Sequence, residues 1–249
     1  MAGIFEMSLL LSIFLIPLLV SIVIVLFFWY KDRYEREPLG LVLKMFLWGA
    51  TSAVFAAIFF EYMAIIFLIM FIPTEILAIL LPIIIAPLAE EYAKGRGILR
   101  LRNHEEYEGM MDGLVYGAAI GAGFGFTENL LYGLNALALG GLLSAVLLVV
   151  IRSSLEIVGH PFYTGWIGGE VGLEKAHGHG GFKSGYLAAV SFHGIWNSVA
   201  VIAEIDEMIA VIFFGIIVVC YGILLKKRIN KALELDRAKQ MRPSSGAQS

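Results

Sequence analysis

The sequence predicts an all-α, polytopic membrane helical bundle of about seven transmembrane helices, and three observations lead to it. The 249-residue chain is 59% hydrophobic and 16% charged, with a mean hydropathy of +0.83, which is too apolar for a soluble domain. Its apolar residues fall in runs of roughly 20, the length that crosses a hydrocarbon core. Lysine and arginine gather in alternate connections between those runs, the pattern that sets membrane orientation. The formal net charge of −3 comes with no basic patch outside the flanks of the runs, so no nucleic-acid partner is expected. The single cysteine, Cys220, lies in an apolar run and offers neither a disulfide framework nor a metal-binding pair.

The first run, Met7 to Tyr30, is too long for a signal-peptide core and lacks a basic start, so it reads as an anchor. The second extends from Leu39 to Phe60, with an apolar continuation to Ile72, and the third from Glu75 to Leu99. The fourth spans Met110 to Leu139, the fifth Leu142 to Trp166, the sixth Gly185 to Ala203 and the seventh Met208 to Leu225. Basic residues follow the first (Lys31, Arg33, Arg36), third (Arg96, Arg100, Arg102), fifth (Lys175, Lys183) and seventh (Lys226, Lys227, Arg228). The connections between them carry none, which puts the N-terminus outside and the C-terminus in the cytoplasm. Residues 1–228 form one transmembrane catalytic domain, and residues 229–249 a cytoplasmic tail, partly disordered by its composition.

Polar residues inside the runs point to chemistry, because ionisable groups are costly in a bilayer and usually functional. Glu90 and Glu91 are adjacent near the end of the third run. Glu128 and Asn129 interrupt the fourth, whose Gly113, Gly117, Gly121, Gly125 and Gly133 form a stripe suited to close helix packing. His160 lies in the fifth run, and His193 with Asn197 on one face of the sixth. In an antiparallel pair turning near Gly109, Glu128 comes opposite Glu90. Counted at ~1.5 Å per residue, both histidines fall roughly 10 Å inside the inner boundary, and Glu90 in the same layer. Such a set suits peptide-bond hydrolysis: a carboxylate and an imidazole can deprotonate a water, and His193 with Asn197 can bind the oxyanion. Zn²⁺ held by Glu91, Glu128, His160 and His193 is the variant of this reading.

Each residue also has a structural account. Lys94 stands i+4 from Glu90, an ion-pairing distance that leaves Glu91 unexplained. His160 precedes Pro161 and can bond a carbonyl freed by it, while His193 and Asn197 can clamp neighbouring helices. Arg152 is the expected counter-ion of Glu156 or of the glutamate cluster, and Asp112 the cap of the fourth helix. His177 and His179, in a Gly-rich loop, are expected to be solvated. No His-Glu-xx-His, Gly-x-Gly-Asp or rhomboid-like Gly-x-Ser motif occurs on any run. A proton-coupled transporter or an inactive scaffold are the rivals from other classes; no inverted repeat supports the former.

Pro87-xx-Glu90-Glu91-xx-Lys94, Asp112-Gly-xx-Tyr116-Gly117, Gly123-Phe124-xxx-Glu128-Asn129-xx-Tyr132, His160 and His193-xxx-Asn197 together resemble the PrsW family of intramembrane proteases, in the wider superfamily of CAAX prenyl endopeptidases and bacteriocin-processing proteins. The resemblance implies a plasma-membrane endopeptidase, needing no cofactor, that cleaves a membrane-anchored protein such as an anti-sigma factor. Glu90 or Glu91 would activate water, His160 would be a further essential residue, and His193 with Asn197 would bind the oxyanion. Glu128 stands where CAAX enzymes carry a histidine, and Gly95 where they carry an arginine, departures that favour PrsW.

Overall fold

The computed structural model describes residues 2–241, with side chains from Glu6 onward. Among these residues there is no strand. The helices are α1 (Ala2–Lys31), α2 (Leu39–Trp48), α3 (Val54–Leu68), α4 (Thr74–Leu80), α5 (Ala86–Leu101), α6 (Met110–Ser154), α7 (His160–His177), α8 (Phe182–Ala203) and α9 (Glu207–Met241). One π-helical turn, Gly49–Ala53, joins α2 to α3, and another, Leu81–Ile85, joins α4 to α5. Each pair therefore makes one pass with a local irregularity. The second irregularity has a clear cause, since Pro82 has no amide hydrogen to continue the α-helical ladder.

Six helical stretches among the described residues are long and apolar enough to cross a membrane, where the sequence predicts about seven. The difference lies in α6. At Gly141 the backbone takes φ +78° and ψ −177°, a conformation open almost only to glycine, and the chain doubles back. The residues beyond it then run antiparallel to the first part of α6 as two pieces, separated by the short 3₁₀ turn Glu156–Val158. The expected fifth run, Leu142 to Trp166, is thus broken in its middle, because Gly159 and Pro161 interrupt the ladder just where His160 sits.

The glycine stripe of α6 is what lets α7 lie against it. A Cβ built on Gly117 would stand 2.8 Å from the Cα of Gly165, and one on Gly121 would stand 2.6 Å from the nitrogen of Pro161. Gly113 and Gly168 face each other in the same way, so the two backbones are in contact over several turns. Around this pair α1, α2, α8 and α9 complete the bundle, burying Phe28, Met110, Met111, Tyr116, Phe162 and Ile167 in one core. The outer faces stay apolar and exposed, with Phe55 at 74% and Val211 at 70%, as a lipid-facing surface requires.

The basic connections gather at one end of the bundle. There Arg102 pairs with Glu174 at 3.4 Å, the Lys175 ammonium donates to the His104 carbonyl, and Lys239 pairs with Glu108. α7 and α9 both project past the apolar runs at this end. α9 continues as helix to Met241, and the disorder expected of the final residues lies outside the described residues.

Candidate active site

α5 contributes three charged side chains from two turns. Glu90 and Glu91 are consecutive, so they leave the helix about 100° apart, and Lys94 lies one turn on from both. Its ammonium stands 2.7 Å from Glu91 Oε1 and 3.5 Å from Glu90 Oε2. The closer pair is therefore i, i+3 with Glu91, the residue that the sequence left without a counter-ion. Lys94 is fully buried; it also donates to His160 Nδ1 at 2.8 Å and lies 4.2 Å from the centre of the Phe124 ring.

His160 opens α7, held there by Gly159 before it and Pro161 after it. Since Lys94 donates to Nδ1, the ring proton belongs on Nε2, which donates to Glu128 Oε2 at 2.8 Å. Glu128 also receives Arg152 Nη2 at 2.8 Å. Arg152 Nε donates to Asn129 Oδ1 at 2.7 Å, and Asn129 Nδ2 to Glu156 Oε2 at 3.0 Å. Arg152 is thus the counter-ion of Glu128, not of Glu156, because the turn at Gly141 carries it alongside Glu128.

His193 of α8 donates from Nδ1 to Glu91 Oε1 at 2.9 Å. Its ring stacks on Tyr163 at 5.1 Å and meets the edge of His160 at 5.2 Å. Thr164 Oγ1 reaches the other oxygen of Glu91 at 3.5 Å. Asn197 donates from Nδ2 to the carbonyl of Pro82 at 2.9 Å, so its amide is engaged by the π-helical turn rather than presented beside His193. Every site residue expected from the sequence lies in this one region, and Glu90, Glu128, His160, His193 and Asn197 all line a cavity of about 550 Å³. The cavity extends away from the basic end, past Tyr132 and Trp196 to Ala203 at the end of α8.

The two adjacent glutamates differ in their surroundings. Glu91 is completely buried, its oxygens taken by Lys94, His193 and Thr164. Glu90 lines the cavity, and its Oε2 has no hydrogen-bond partner.

One donor atom from each of Glu90, Glu91, His160 and His193 lies within 4.8 Å of the others. Two imidazoles and two carboxylates, all buried and one with an unpartnered oxygen, make a donor set that fits Zn²⁺. The sequence named Glu128 among these donors in place of Glu90. The structure instead ties Glu128 to Arg152 and holds Glu90 only by its 3.5 Å ion pair with Lys94. Within the same set stands the Lys94 ammonium, the cation that the described side chains themselves provide.

Glu61 of α3, Tyr163 and Glu156 line the cavity too and went unrecognised as site residues in the sequence. Glu61 could have been found by the rule that found Glu90, as an isolated carboxylate in the apolar run Val54–Leu68. Along the bundle the cluster lies well away from the basic end. Phe126, two residues before Glu128, packs on Phe14 in the N-terminal half of α1. The count along the sequence ended α7 near Gly168, whereas the helix runs on to His177.

Comparison with known proteins places most of the chain in one family. The family model described as PrsW family intramembrane metalloprotease matches residues 37–223, a stretch that contains the whole cluster. The protein named Protease PrsW from Geobacillus kaustophilus (strain HTA426) is 36% identical over 107 residues, which is 43% of this chain and 45% of that relative. The chain thus aligns with less than half of that relative's length. No solved structure matches the chain. The match over most of the chain, with the buried Glu/His cluster and the apolar helices that hold it, makes this integral membrane protein a member of the PrsW family.

Proposed function

We propose that the protein is an intramembrane endopeptidase that hydrolyses a peptide bond in a membrane-anchored protein, with Glu90 as the base. The observation that carries the reading is the contrast between the two adjacent glutamates: Glu91 is buried away from the cavity and saturated by partners, while Glu90 lines the cavity and is held only loosely, its Oε2 without a hydrogen bond and 3.5 Å from the Lys94 ammonium. In this mechanism Glu90 accepts the proton of a water as its oxygen attacks the scissile carbonyl, and returns it to the departing amine. Glu91 fixes the His193 proton on Nδ1, which leaves Nε2 as an acceptor that orients the same water. The Lys94 ammonium, a full charge held behind the cavity wall by Glu91 and His160, stabilises the developing oxyanion through the low-dielectric interior. Glu128 and Arg152 orient His160, and Asn197 positions α8 through Pro82. The apolar cavity walls receive an extended substrate segment and exclude bulk water.

A second reading rests on the donor set of Glu90, Glu91, His160 and His193 and on the metalloprotease description of the family model. Zn²⁺ held by these side chains would supply the positive charge that polarises the carbonyl and acidifies a bound water. In this reading Glu90 and Glu91 would be ligands instead of base and orienting group, while Glu128 would still orient His160. The same proposal includes a plasma-membrane location, a substrate of the anti-sigma-factor kind, and kinship with the CAAX prenyl endopeptidases.

The test compares the N-termini of membrane proteins, by mass spectrometry, in cells carrying wild type or Glu90→Gln, with folding of the variant checked by its unfolding midpoint. N-termini formed only with wild type support proteolysis and name the substrate. An identical set, with the variant folded and equally expressed, refutes it. Cleavage by purified protein after chelation, with and without restored Zn²⁺, separates the two readings.

A further inference from the structure

A second polar centre lies at the basic end of the bundle. Asp32 follows α1, Glu37 precedes α2, and Asp112 stands in the first turn of α6. One carboxylate oxygen from each lies within 4.8 Å of the other two. Along α6 this centre is roughly 24 Å from Glu128, at 1.5 Å per residue.

We propose that Asp32, Glu37 and Asp112 form a binding site for a hard divalent cation, Ca²⁺ or Mg²⁺, distinct from the intramembrane cluster. The argument starts from Asp32. It is 1% exposed, and its Oδ2 is buried without any hydrogen-bond partner, a costly state for a carboxylate oxygen. Glu37 is 4% exposed, and one of its oxygens accepts the hydroxyl proton of Tyr116. Asp112 Oδ2 accepts the amide hydrogens of Glu108 and Gly109. Glu37 and Asp112 are therefore each anchored through one oxygen, as preorganised ligands are. Among the described residues, no lysine or arginine lies within ion-pairing distance of any of the three.

Negative charge is thus concentrated there, and Lys239, which lines the adjoining cavity, is paired with Glu108 and Glu35 instead. Burial, with Asp112 alongside, pushes the Asp32 carboxyl up to about 6, and burial with Asp112 pushes Glu37 up to about 9. The chemistry of the donors selects the ion: all are oxygens, with no histidine or cysteine, which suits Ca²⁺ or Mg²⁺ rather than Zn²⁺. Oxygens bound at about 2.4 Å from one ion lie up to about 4.8 Å apart, which the cluster satisfies. An adjoining cavity of about 490 Å³, lined by Asp32, Asp112 and Asp236 of α9, gives the ion a route in and room for water ligands. A cation there would tie the end of α1 to the start of α6, with α9 alongside.

The test uses full-length protein in detergent, stripped with EDTA and titrated with Mn²⁺ as a paramagnetic probe, with Ca²⁺ and Mg²⁺ as competitors. Wild type is expected to bind Mn²⁺ that Ca²⁺ or Mg²⁺ displaces. Asp32→Asn and Glu37→Gln, each checked for folding by its unfolding midpoint, are expected to bind at least tenfold more weakly. His160→Ala is expected to retain the displaceable ion. Failure of wild type to bind Mn²⁺ at millimolar concentration overturns the proposal. So does undiminished affinity in Glu37→Gln and Asp32→Asn, or loss of the ion in His160→Ala alone.

Discussion

Gly117→Ala tests the backbone contact between α6 and α7, on which the position of His160 depends. The added methyl would stand 2.8 Å from the Cα of Gly165, whereas carbon atoms in contact prefer about 3.5–4.0 Å. The neighbour is helix backbone, not the end of a flexible side chain, so the helices must separate by about 1 Å. Overpacking of this kind costs about 1–3 kcal/mol, and the gain in helix propensity returns up to about 1 kcal/mol. A net loss of about 1 kcal/mol is expected from these terms, which places the variant about 2 kcal/mol below one that gains the propensity without the clash. His160 stands one turn from Thr164 on the displaced helix, and a 1 Å misplacement of such a group costs about 10²-fold in rate. The matched control is Gly165→Ala, whose methyl would meet nothing closer than 3.5 Å and so keeps the propensity gain without the clash. Chemical unfolding in mixed micelles and the cleavage rate of the identified substrate measure the two effects. Equal stability and equal rate in the two variants would refute the packing argument.

Three further outcomes follow from described contacts. Lys94→Met leaves the fully buried Glu91 without its cation and is expected to destabilise the fold by about 3–5 kcal/mol; the double variant with Glu91→Gln should recover most of this, as read by unfolding midpoints. Arg228 pairs with Glu170 at 2.6 Å and packs over Trp166, and Glu170 lies about 15 Å along α7 from His160, so Arg228→Met should cost about 3–5 kcal/mol yet leave the rate per folded molecule unchanged. Gly141→Ala has open space around it but a positive φ, so strain alone should lower stability by about 1–3 kcal/mol, measured against Gly215→Ala in α9, which has open space and no positive φ.

The apolar runs made the passes legible because lipid imposes length and composition directly. Glu90, Glu91, Glu128, His160 and His193 were legible because each is a polar group where a bilayer tolerates few, and the structure brings them together. Pairing was much less legible, since it depends on angle and not only on depth. Lys94 faces Glu91 more closely than Glu90; Arg152 reaches Glu128 only because Gly141 folds the chain back; Asn197 turns to the backbone carbonyl of Pro82 in the π-helical turn. The group of Asp32, Glu37 and Asp112 could not be seen at all. Its members are ordinary residues for loops and helix starts, and only the meeting of three chain segments gives them a common environment.

The glycine repeat of α6 carries an ambiguity that its polar neighbours resolve. Glycines spaced four apart present nearly the same small surface after a slide of one repeat, about 6 Å along the helix. By shape alone, α7 could settle in more than one alignment. Sliding would part His160 from Glu128, and Asn129 from Glu156, leaving buried charges and amides unpaired at a cost of several kcal/mol. The residues proposed for hydrolysis therefore also act as alignment marks during assembly, and a change made to alter catalysis at Glu128 or His160 would loosen the rule that tells two smooth helices where to stop.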